Sequence, residues 1–106
     1  MEVQLHVNHA QMAANVFALT GRLDVHAAAD ARLLLADAVD NGDGELVLDL
    51  AALEAVDATG LGVLVGAHRR AQRAGRTLVL EDVTPTVGRL LFVTRLDRVL
   101  QTRRSA

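Results

Sequence analysis

A chain of 106 residues is the size of one small domain. Hydrophobic residues make up 51% and aromatics 2%, with neither Trp nor Tyr. The core is therefore Leu, Val and Ala, disorder is excluded, and so is an aromatic platform for single-stranded nucleic acid. A net charge of −2 leaves no basic excess for duplex binding, and the lack of cysteine removes disulfide and thiolate chemistry.

Val3, Leu5 and Val7 alternate with Gln4, His6 and Asn8, the pattern of a half-wet strand at a sheet edge. That start also differs from a charged leader. His9-Ala10-Gln11 is expected to turn the chain into a second strand over residues 14–20, which Gly21 breaks. Asp24 precedes a helix from about His26 to Val39, with Ala28, Ala31, Leu35 and Val39 as its buried stripe; Arg32 and Asp37 fall outside it. Turn residues Asn41-Gly42-Asp43-Gly44 end that helix.

Leu46-Val47-Leu48 with Leu50 suits a central strand covered on both faces. Ala51-Ala52-Leu53-Glu54 reads as a loop, and Ala55-Val56 lead into Asp57-Ala58-Thr59-Gly60-Leu61-Gly62. Asp57 and Thr59 are both good helix N-caps, because a short side-chain oxygen accepts from the free amides of the first turn. The helix runs from about Thr59 to Ala74 and keeps Leu64, Ala67, Ala71 and Ala74 on one face. Arg69, Arg70 and Arg73 complement its dipole, and Gly75 suits the position after its end. Thr77-Leu78-Val79-Leu80 is a buried strand. Thr84 caps a third helix with Pro85 at its first position and Val87, Leu90, Leu91 and Leu96 inside. Val99-Leu100 forms a last short element, and residues 103–106 read as a frayed tail. The longest apolar run, residues 60–67, is far too short to span a membrane.

Three motifs together resemble the STAS domain of bacterial anti-sigma factor antagonists. Val56-Asp57-Ala58-Thr59-Gly60-Leu61-Gly62 is similar to the family signature of an apolar residue, Asp, Ser, Ser or Thr, Gly, Leu and a small residue. Thr20-Gly21-Arg22-Leu23-Asp24 is similar to the Thr-Gly-Glu-Leu-Asp that precedes the family's first helix. Thr84-Pro85 with Val87, Leu90 and Leu91 is similar to the Ser-Pro opening of its third. The resemblance implies one domain over residues 1–106 of α/β class, with a four- to five-stranded mixed sheet and helices packed mainly on one face.

It also implies a non-enzymatic cytoplasmic regulator of transcription. Such a protein binds an anti-sigma factor, a switch-type protein kinase, and so releases a sigma factor. The binding rim it implies comprises Asp24, Asp57, Ala58, Thr59, Gly60 and Gly62. In the family the serine directly after the Asp accepts phosphate; here that position is Ala58, and Thr59 is the only nearby hydroxyl left as a candidate phosphorylation site. The alternative is a STAS scaffold subunit of a lipid-transport ABC system or a signalling complex, because one fold serves several roles.

The residues themselves leave Asp24 and Asp57 as either two helix caps or parts of one rim. No nucleophile or third ligand clusters with them, so neither acid–base nor Mg²⁺ chemistry is assigned. Gly60, Gly62 and Gly66 are better explained by close helix packing than by a dinucleotide loop. His6, His9, His26 and His68 are scattered and carry no zinc pattern. The expectation is a monomer or weak dimer with no catalytic residue, metal or cofactor, no direct nucleic-acid contact and no membrane insertion.

Overall fold

The computed structural model describes residues 4–7 and 15–105. The turn expected at His9-Ala10-Gln11 lies outside them. The chain forms β1 (Gln4–Val7), β2 (Val16–Leu23), α1 (Ala28–Asp40), β3 (Glu45–Asp49), β4 (Leu53–Val56), α2 (Ala58–Arg73), β5 (Thr77–Glu81), α3 (Pro85–Val93), a 3₁₀ turn (Leu96–Arg98) and β6 (Gln101–Arg103).

The sheet is mixed, as expected. β1 pairs antiparallel with β2 at one edge, and every other pairing is parallel. The order is β1-β2-β3-β5-β6, with β4 also paired to β2. Parallel strands place all their starts at one end of the sheet and all their finishes at the other. β2 serves two partners in turn. Its first residues, Val16 to Ala18, run beside β3, and Gly21 to Leu23 run beside β4.

Among the described residues six strands stand where four or five were expected. Leu53–Val56 was read in part as a loop, but it closes onto the end of β2 through the Gly21 amide, which donates to the Ala52 carbonyl at 3.2 Å. Gln101–Arg103 falls partly in the expected frayed tail. It pairs with β5, and Arg103 bridges Glu45 at 2.8 Å and Glu81 at 3.1 Å. Ser105 then donates to Asp82 through both its amide and its hydroxyl, at 2.8 and 2.6 Å. Nor does Gly21 break β2. It takes φ 86°, open to glycine alone at low cost, and the register with β4 shifts there, so the strand bulges and continues to Leu23.

Leu46, Leu48, Leu78 and Leu80 cluster with Ala31 and Leu35 of α1, Leu64 and Ala71 of α2, and Val87 and Leu91 of α3. All three helices thus share one face of the sheet. Val47 and Val79 alternate to the other face and are buried as well. This confirms β3 and β5 as interior strands.

α2 ends in a paired cap. The Gly75 amide bonds the Gln72 carbonyl at 3.0 Å and the Arg76 amide bonds the Ala71 carbonyl at 2.8 Å. Gly75 takes the φ of 71° that this turn requires. The turn delivers Arg76 to the start of β5, where it is 4% exposed. Its guanidinium donates to the carbonyls of Ala38 and Val39 at 3.0 and 2.8 Å and of Gly44 and Asp43 at 3.0 and 3.3 Å. It also donates to Asn15 Oδ1 at 3.0 Å. Two of these carbonyls belong to the last turn of α1, where a helix lacks internal donors. One side chain therefore closes α1 and ties down the starts of β2, β3 and β5.

Candidate functional site

At the opposite end, β2 and β4 finish side by side. The Asp57 amide donates to the Leu23 carbonyl at 3.3 Å, so the two strand ends are held together. Asp57 is extended, at φ −102° and ψ −175°, and α2 starts at the next residue. Its Oδ1 accepts from the Gly60 amide at 2.8 Å, the bond of an N-cap. Its Oδ2 accepts from the Val25 amide at 3.0 Å. One carboxylate thus caps α2 and also clasps the turn leading into α1. These amide donors, Gly60 first and then Val25, hold the Asp57 carboxyl below the usual carboxylate range.

Asp24 makes a local turn. Its Oδ1 accepts from the amides of His26 and Ala27 at 3.0 and 3.2 Å, and Arg22 stands 4.0 Å from Oδ2. The helix begins only at Ala28, later than expected, because this turn occupies residues 24–27. Asp24 and Asp57 therefore belong to one rim, joined through Val25. Both carboxylates are engaged by backbone amides and carry a structural load.

Ala58 occupies the first position of α2 and is exposed, while Thr59 is half-buried. The expected capping role of Thr59 is taken by Asp57, since the helix starts one residue earlier.

The glycines separate. Gly60 is buried, and a Cβ there would lie 2.1 Å from the Leu23 carbonyl oxygen. It lets α2 start directly against the end of β2, so Gly60 is a packing residue beneath the rim and lies out of a partner's reach. Gly62 and Gly66 are exposed, and a Cβ on either would meet nothing within 4 Å. Close packing within the chain, expected for all three, accounts for Gly60 alone.

Val25 was absent from the sequence reading. It is 59% exposed, an apolar side chain standing between the two aspartates. Its one signal is its place directly after Asp24 and before the helix.

Among the described residues, no three His, Cys, Asp or Glu side chains gather as a metal set. No helix among the described residues is long and apolar enough to cross a membrane. His26 is exposed and His68 is half-buried, with its Nδ1 buried and without a hydrogen-bond partner.

A mixed sheet with three helices on one face, and a capped helix start beside the end of β2, defines an α/β domain of the STAS type. The STAS domain model matches residues 5–106, and the chain belongs to that family. It is 30% identical over 101 residues to the anti-sigma F factor antagonist of Paenibacillus polymyxa, covering 94% of this chain and 86% of that one. It is 30% identical over 82 residues to the anti-sigma-B factor antagonist of Bacillus subtilis, covering 77% and 74%. The fold is similar to that of the anti-sigma factor antagonist SpoIIAA in its unphosphorylated form, with a TM-score of 0.75 at 20% identity, covering 98% of this chain and 88% of that one. Against the phosphorylated form of the Bacillus SpoIIAA the TM-score is 0.70 at 18% identity, covering 98% and 91%.

Proposed function

We propose that this protein is an anti-sigma factor antagonist that binds its partner through the rim of Asp24, Val25, Asp57, Ala58 and Thr59, without a serine switch. Partner binding there competes with the sigma factor by mass action and releases it. The protein acts by binding, in the cytoplasm, with no chemistry of its own.

The likeness to two anti-sigma factor antagonists supports the antagonist reading, and Ala58 is the observation that carries the absence of a switch. It is exposed on the first turn of a helix whose start is fixed by Asp57. In the resemblance that position holds the phosphorylated serine, and one similar structure is of a phosphorylated protein. Phosphate brings roughly two negative charges to such a surface and can displace a partner. A methyl group accepts none, so the rim stays competent to bind whatever the kinase activity. Thr59 does not replace the serine. One residue along a helix turns the side chain by about 100°, and the β-branched side chain is half-buried with few rotamers.

Ala58 is also compatible with a second reading, a STAS scaffold subunit of a lipid-transport ABC system, which needs no switch. Co-purification from the native cell separates the two. An anti-sigma kinase in the eluate supports the antagonist; transporter ATPase subunits without a kinase overturn it.

A further inference from the structure

Between α1 and α2 runs a groove of about 190 Å³, lined by none of Asp24, Val25, Asp57, Ala58 and Thr59. Leu35, Val63 and Ala67 lie beneath it and are at most 6% exposed, so Gly62, Gly66 and the arginines make its open surface. Gly62 and Gly66 form its α2 wall, and both face open space. Glycine inside a helix weakens it relative to alanine, and no neighbour within the chain requires either one. The charged residues on the groove are Arg32, Arg70 and Arg73. Arg70 is engaged by Asp40 through two bonds of 2.9 and 2.6 Å. Arg32 and Arg73 are exposed and form no ion pair among the described residues. The chain as a whole carries −2, so this groove is a local reversal of sign.

Thr59, Gly62, Gly66, Arg70 and Arg73 follow one another at steps of three and four along α2. Such residues share one stripe of a helix. The stripe begins at the rim and runs back along the groove. From Gly62 to Arg73 it covers about 16 Å at the α-helical rise.

We propose that the groove continues the partner-binding surface and takes an acidic helix of the anti-sigma factor. That helix lays its apolar side over Gly62 and Gly66, while its carboxylates meet Arg32 and Arg73. A helix suits a groove between two helices, and small residues let its backbone come close. Its acidity follows from the two unpaired guanidinium groups, which form bidentate bonds with carboxylates. The inference rests on the antagonist reading and adds a second contact to it.

The test titrates the anti-sigma factor that binds the wild-type chain into Gly66→Arg and into the double variant Arg32→Glu, Arg73→Glu. Calorimetry is run at low and high salt, with thermal unfolding in parallel. Gly66→Arg fills open space and replaces a poor helix former, so it is expected to unfold at or above the wild-type temperature. It is also expected to bind about tenfold more weakly or worse, and the double variant to do the same with a flatter salt dependence. Wild-type affinity and salt dependence in both variants would overturn the groove while leaving the rim intact. An absence of any anti-sigma factor that binds the wild-type chain would overturn both readings together.

Discussion

The two ends of the sheet use one device with opposite sign and exposure. At the strand starts a buried cation, Arg76, donates to carbonyls; at the strand finishes an exposed anion, Asp57, accepts from amides. Burial makes the difference. Arg76 closes the Ala38 and Val39 carbonyls through buried bonds, where water does not readily replace it. Asp57 holds amides at the surface, where solvent competes and a partner can read the result. One end fixes the fold, and the other carries the helix start at which we propose that the partner binds.

The largest expected effect is at the buried end. Arg76→Ala leaves the two buried carbonyls of Ala38 and Val39 without this donor, and at about 1–3 kcal/mol for each unsatisfied group the loss is about 3 kcal/mol. Arg76→Lys keeps the charge but not the planar fork, and is expected to recover less than half of the loss. Denaturant midpoints measure both, and a loss below about 1 kcal/mol for Arg76→Ala would show that the hub is dispensable.

Next is Gly60→Ala, which sets a methyl against the Leu23 carbonyl. Overpacking of this kind costs about 1–3 kcal/mol. Gly60→Arg is expected to prevent stable folding, so any loss of binding in it reports structure. A Gly60→Ala variant as stable as wild type would show that the rim and core are not in contact there.

The smallest effect is at Asp57, where water substitutes in part for the lost cap. The folded carboxyl is held below its ordinary value, so its contribution is full above the ordinary carboxylate range. It is lost as pH falls through the folded value. Asp57→Asn is therefore expected to be less stable than wild type at neutral pH and nearly equal to it in acid. Unfolding curves across that range check this, and a constant difference at every pH would remove the charge from the explanation.

Legibility in the sequence followed locality. Asp57, Thr84-Pro85 and Gly75 were readable because a cap depends on residues within one turn. The strand Glu45–Asp49 was readable because burial on both faces leaves the apolar run Leu46-Val47-Leu48. Leu53–Val56 was hidden, since it is short and pairs with Gly21 to Leu23, 32 to 33 positions earlier. Gln101–Arg103 shows no apolar pattern at all; it is fully on the surface and is made a strand by β5 and by two glutamates. Arg76 gathers residues from 15 to 44, which no local pattern encodes. Gly60 and Gly62 stand two residues apart on a helix, so they face nearly opposite ways and answer to different neighbours. At the rim, the aspartates and Ala58 were legible, and Val25 needed the fold.

The central claim is a binding rim without a phosphate switch, and one paired measurement tests it. The chain is incubated with ATP and the anti-sigma kinase it binds, and intact mass and affinity are then read from the same sample. The account predicts no added phosphate and unchanged affinity, with Ala58→Ser gaining one phosphate and losing affinity. A wild-type chain that gains a phosphate and loses affinity, with both changes abolished in Thr59→Ala, would contradict it.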